Sequence, residues 1–199
     1  MILLDNEPVA VPKFISAQKL LEDKFVLEFS YNDRNNKNRK QKRIIELTIG
    51  DIACFVKPYS DFVCDTIVRG IVPKRHNGLE SPTVYVLVTD NKFDFYNITE
   101  ITDKKYRILD KALQRIIVQR MFTIHQLAHF LIKELEKDLE KYKSKLVVIT
   151  GDFFLSDPQI TKHDKDWLYP QMIQAIKKIK DSIILFFSPT KLSNLVNFG

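Results

Sequence analysis

Glycine is scarce in this chain, 5 in 199 residues, and cysteine and tryptophan are scarcer still, at 2 and 1. Cys54 and Cys64, in a chain without an export signal, read as free, partly buried thiols rather than a disulfide, and two cysteines alone make no metal site. No apolar run approaches the roughly 18 residues of a membrane span. Met1 to Phe14 carries Asp5 and Glu7 where a secretory leader would be positively charged. These absences weigh against redox, metal and membrane roles, and they imply a cytoplasmic protein. What is present is 45% apolar residues, enough for a substantial core in one domain or one domain with an appendage.

Charge is placed unevenly. Lys plus Arg minus Asp plus Glu is 31 − 25 = +6, and the segment from Arg34 to Arg43 holds six bases and no acid, so the rest of the chain is formally neutral. Arg34, Lys37, Arg39, Lys40, Lys42 and Arg43 are interleaved with Asn35, Asn36 and Asn38, the composition of a polar loop between two strands. Two readings stand: a contact to the phosphates of DNA, or a solvated hairpin tip. If all six charges neutralise phosphates, log K falls against log salt with a slope of up to about −5, from roughly −0.9 per phosphate.

The glycine shortage bears on Ile44 to Lys57, IIELTIGDIACFVK, which has the layout of an apolar strand closing on a nucleotide loop at Gly50. A phosphate loop needs G-x-x-x-x-G-K-[ST]: glycines so that backbone N–H groups can curl round the phosphates, a Lys for their charge and a hydroxyl for magnesium. Counted from Gly50, Phe55 stands at the second glycine, Val56 at the lysine and Lys57 at the hydroxyl.

Periodicity predicts alternating strands and helices. Phe25 to Tyr31 and Arg43 to Ile49 are strands flanking the basic loop, and Pro58 to Ile71 is a helix with Phe62, Val63, Ile67 and Ile71 on one side. Thr83 to Thr89, TVYVLVT, suits a strand buried on both faces of a parallel sheet. Asn97 to Tyr106 is helical and Arg115 to Val118 a short strand. Thr123 caps a long helix carrying Ile124, Leu127, Ala128, Leu131, Leu135 and Leu139. Leu146 to Ile149 is a strand, and Asp164 to Lys180 a helix whose apolar side holds Trp167, Leu168, Met172, Ile173, Ile176 and Ile179; Ile183 to Phe187 is a last strand. The class is α/β, a mostly parallel β-sheet with helices on both faces. Residues 1–24 read as an N-terminal linker or helix and 25–199 as a single core.

The ordered series VYVLVTDNKFDFYNITEI, KALQRIIVQRMFTIHQLAHFL and KLVVITGD resembles the RecA/RadA recombinase core, most closely the archaeal RadA paralogues, over about Ile44 to Pro189. In that family a buried strand ends in an acid followed by a Phe and a helix, the next strand ends in an Arg and a Phe, and a helix opens at a His-Gln or similar pair. The resemblance implies a RecA-like core, truncated at the C-terminus, with a degenerate nucleotide site. It puts Asp90 where the family has the acid that orients the water attacking ATP, and Thr150 where a magnesium-associated Asp belongs, on a strand neighbouring the phosphate loop. Asp152 comes two residues late. Phe14 and Ala17, in FISA, match the F-x-x-A form by which RadA-type proteins dock a linker into a neighbouring core; Ser16 as an intramolecular helix cap is the other reading.

The resemblance thus implies a non-catalytic accessory protein in homologous recombination and DNA repair. Its partner would be a RadA-like recombinase or another paralogue, in a homo- or hetero-oligomer, with DNA bound through Arg34 to Arg43 and with no cofactor. The alternative is a DNA-dependent ATPase that binds ATP and Mg through Gly50, Lys57 and Asp90 in a rearranged loop. Remaining candidates are weaker. His125 and His129 have zinc-hydrolase spacing, but Gln126 stands where the catalytic Glu would be, and they read as satisfied helix histidines. Asp152, Asp157, Asp164 and Asp166 read as turn and cap residues. Beyond the last strand, Ser188, Thr190 and Lys191 offer at most a phosphate contact, and Leu192, Leu195, Val196 and Phe198 an apolar packing surface.

Overall fold

A computed structural model describes residues 2–5, 7–8, 24–32, 40–90, 93–151 and 160–189. Of the sequence-predicted sites, Phe14, Ala17, Arg34, Lys37 and Arg39 lie outside these residues, as do Ser16, Asp152, Asp157, Thr190, Lys191 and the apolar tail.

Strands β1 (Ile2–Asp5), β5 (Ile52–Val56), β6 (Val84–Val88), β7 (Ile116–Arg120), β8 (Leu146–Thr150) and β9 (Ile183–Ser188) form a parallel sheet in the spatial order β1-β5-β9-β8-β6-β7. The short β2 (Glu7–Pro8) adds an antiparallel edge beside β1. β6, β8 and β9 are buried along their whole length because helices cover both sheet faces, which is why their sequences run apolar without alternation.

One face, through Tyr85, Leu87, Val147, Ile149, Ile184 and Phe186, packs on α4 (Ile124–His129), α5 (Leu135–Tyr142) and α6 (Lys162–Lys178). Alternate residues, among them Val86, Val148, Leu185 and Phe187, face α1 (Ser60–Ile71), α2 (Phe95–Ile101) and α3 (Leu109–Leu113). A π-helical turn, Phe130–Glu134, joins α4 to α5, and a second, Thr102–Tyr106, continues α2. The α/β class and the mostly parallel, doubly covered sheet agree with the sequence, and the arrangement is consistent with a RecA-like core.

β3 (Phe25–Asn32) and β4 (Lys40–Leu47) pair antiparallel in register from Phe25↔Leu47 to Asn32↔Lys40, so the two strands flanking the basic segment form as expected, but Lys40, Lys42 and Arg43 lie in β4 and not in the loop predicted for them. Phe25, Leu27 and Leu47 anchor its foot in the core.

Three further features differ from the sequence expectations. The apolar run before Gly50 belongs to this hairpin, and the sheet strand is β5, after Gly50. Residues 2–5, expected in a linker or helix, pair with β5, because every second strand residue needs a backbone partner that only tertiary context supplies. Trp167 is 61% exposed, since Leu168, Met172 and Ile176 already fill the buried side of α6 and position 167 lies about 100° away. α6 runs through Pro170, as the helix expected over Asp164 to Lys180 does, although proline removes one helix donor. No helix among the described residues is long and apolar enough to cross a membrane.

Candidate functional site

In an open parallel sheet, ligands bind outside the carboxyl ends of strands whose onward connections leave in opposite directions. Here that pair is β6 and β8: from β6 the chain moves outward to β7, and from β8 it moves the other way to β9. Asp90 follows β6 and Gly151 follows β8, so the acid picked out by the resemblance lies at the switch point.

Backbone and side-chain bonds draw this edge together. Thr89 donates to the Thr150 carbonyl from both its N–H and its hydroxyl, each at 3.0 Å, and the Gly151 N–H donates to the Phe187 carbonyl at 3.0 Å. Gly151 is buried with φ +97°, and a Cβ there would stand 2.7 Å from Thr89 Oγ1 and 2.8 Å from Asp90 Cγ, so only glycine lets the two strand ends approach. Thr150 is 7% exposed, and among the described residues its buried Oγ1 has no hydrogen-bond partner. By register it lies between Val88 and Phe187, which offer its hydroxyl nothing.

The phosphate side of the site is built differently from the sequence layout. Gly50 sits in a turn at the amino end of β5, where its N–H donates to the Ser182 carbonyl at 3.2 Å and its φ is +90°. Phe55 and Val56 are strand residues, and Lys57 follows the carboxyl end. Gly50 and Lys57 are therefore about 23 Å apart along an extended chain and cannot cradle one phosphate. The connection from β5 to α1 is Lys57, Pro58 and Tyr59 alone: Lys57 takes φ +52° without being glycine, and Pro58 has no N–H to offer. Asp61 places a carboxylate in the first turn of α1, countering the helix dipole that would favour an anion. Phe62 packs its ring on Phe55 and Phe187, centroids 5.2 and 5.8 Å away, beneath the connection.

ATP and magnesium, implied by the alternative reading, do not fit these residues: no glycine cradle follows β5, and Thr150, for which the resemblance implies a magnesium-associated Asp, offers only a hydroxyl. β9 also lies between β5 and β8, so Thr150 is not on a strand neighbouring Lys57 as expected: it is two strand spacings away and level with Phe55, about 12 Å from Lys57.

The other candidates have structural partners. Gln126 of the His-Gln pair closes the start of α4: the Thr123 hydroxyl accepts from the Gln126 N–H at 3.2 Å, and Gln126 Oε1 accepts from the Phe122 N–H at 2.9 Å. His129 Nε2 is 3.1 Å from Glu134 Oε1, and His125 is exposed. Asp164 forms a capping box with Thr161, whose hydroxyl and backbone bonds hold its carboxyl below the usual range. Among the described residues no three His, Cys, Asp or Glu side chains are grouped to hold a metal. Cys54 and Cys64 are buried and not joined in a disulfide, and burial pushes the Cys64 thiol up to about 11. In the basic segment Lys42 is paired with Glu28 across the hairpin at 2.6 Å, which raises its own pKa and lowers that of Glu28.

Sequence reasoning missed Gly151, Thr89 and the Phe55–Phe62–Phe187 cluster. Only Gly151 left a trace, a glycine directly after a buried strand. No protein-family model matches the chain, and no curated protein matches it.

Proposed function

We propose that the chain is a RecA-like core, similar to the RadA paralogues, whose nucleotide site has been retired, and that it acts as a non-catalytic accessory protein in homologous recombination and DNA repair. In this reading it binds a RadA-like recombinase or another paralogue and contacts DNA through the basic hairpin. The carrying observation is the three-residue connection from β5 to α1, with proline in it and Asp61 and Phe62 behind it, at the end of a strand that ought to open a phosphate loop.

The order of the remaining parts supports the family. β6 is followed by Asp90 and Phe93 and then α2, β7 ends on Arg120 with Phe122 after it, and α4, which begins at Ile124, carries His125-Gln126 in its first turn. Asp90 and Thr150 also meet at one switch point, as two parts of one former site should. A carboxylate without a phosphate cradle or a metal partner has nothing to activate a water against.

Equilibrium binding of labelled ATP with magnesium tests the retired site: no binding is expected below millimolar. Saturable binding that Lys57→Ala abolishes would instead establish the rearranged ATPase. Co-elution of the purified protein with a RadA-like recombinase from the same cells tests the accessory role, and its absence with every recombinase and paralogue of those cells removes that role.

A further inference from the structure

At the foot of the hairpin, away from the switch point, a cleft of about 240 Å³ is lined by Lys24, Val26, Lys74, Asn77, Gly78 and Leu79. Two of these six side chains are cationic, one is an amide and none is acidic. Arg75 and His76 stand exposed in the same turn.

The cleft has a fixed wall. The Arg69 guanidinium donates to the Val26 carbonyl at 2.5 Å and to the Asn77 carbonyl at 2.7 Å, clamping the hairpin to the turn, and its plane lies over the Phe25 ring at 5.6 Å. Those acceptors are neutral, so the arginine's charge adds to the field of the cleft. Gly78 cannot be replaced, because a Cβ would stand 1.9 Å from the Val72 carbonyl oxygen, and Asn77 holds φ +60° beside it. Lys24 pairs with Glu46, but both side chains are about half exposed, and such a pair opens at little cost.

We propose that this cleft binds a phosphate of a DNA duplex that lies along the hairpin, with Lys74, Arg75 and Lys24 as the cations and Asn77 as a neutral donor. The proposal rests on the reading that the basic hairpin contacts DNA. From Lys24 to Asn32 the strand rises about 27 Å, at 3.4 Å per residue. Successive phosphates of one DNA strand are spaced about 3.4 Å along the axis, so the cleft and the far end of the hairpin are about eight base pairs apart. A duplex of that length or longer engages both ends, and a shorter one engages one.

The test is fluorescence anisotropy across a salt series, with duplexes of about 20 base pairs and stems of about five. Lys74→Ala with Arg75→Ala alters two exposed side chains, and an unchanged melting temperature verifies that the fold is intact. On the long duplex this variant should show a salt slope shallower than wild type by up to about 0.9, the share of one phosphate contact. On the short stem its loss should be smaller.

If the double variant titrates like wild type on the long duplex while Lys40→Ala, Lys42→Ala, Arg43→Ala together weaken binding, the cleft is not a DNA contact and the hairpin reading stands. If neither variant changes binding, the DNA reading falls with it. Equal losses on long and short DNA, or competition by inorganic phosphate at constant ionic strength, overturn the proposal in favour of a separate small-anion site.

Discussion

Thr150 carries a hydroxyl that the fold has no use for. Burying a hydroxyl without a partner costs about 1–3 kcal/mol, and among the described residues the Thr150 hydroxyl, between Val88 and Phe187, has none. Thr150→Val keeps the shape and removes the orphan, and should stabilise the protein by about 1 kcal/mol, read as a higher melting temperature. A loss of stability would mean that the hydroxyl has a partner, and so that the position is still a working one. The residue types at this site were legible in the sequence: Asp90 after one strand and Thr150 at the end of another. Their meeting was not, because it depends on β6 and β8 being neighbours and on Gly151 permitting close approach, neither of which local sequence encodes.

Helix starts are the elements whose chemistry was best written in the sequence. Thr123 caps α4 as its position predicts, and Gln126 completes the arrangement from three residues on, so half of the family-like His-Gln pair has a capping role. Thr123→Ala should cost about 1 kcal/mol, measurable by denaturant unfolding. At α6 the bond from the Thr161 hydroxyl, and then that from its backbone, depress the Asp164 pKa. A depressed carboxylate contributes stability that is present above its ordinary pKa and lost as pH falls through its folded value. Melting temperature should therefore fall below about pH 4, and Asp164→Asn should flatten that part of the profile. Element boundaries moved only by a few residues between sequence and structure, but the run IIELTI changed role altogether. An apolar strand pattern is equally at home in a hairpin and in a central sheet, and only the pairing of Leu47 with Phe25 decides it.

For the whole molecule, the two ends of the sheet have different chemistry. The carboxyl end holds Asp90, Asp61 and the phenylalanine cluster, a poor setting for phosphate, while the amino-terminal hairpin and its cleft hold the unbalanced positive charge. Millimolar ATP with magnesium should leave the melting temperature unchanged, because stabilisation follows RT ln(1 + [L]/Kd) and vanishes where Kd is far above the ligand concentration. The sequence by itself determined the α/β class, the buried strands β6, β8 and β9, the Thr123 cap and the uneven charge, because hydrophobic period, capping residues and charge count are local properties. Strand order, the switch point, the distance between Gly50 and Lys57, and the cleft under the hairpin were decided only by the tertiary structure. Each depends on which segments pair across long stretches of chain, and no local pattern fixes that.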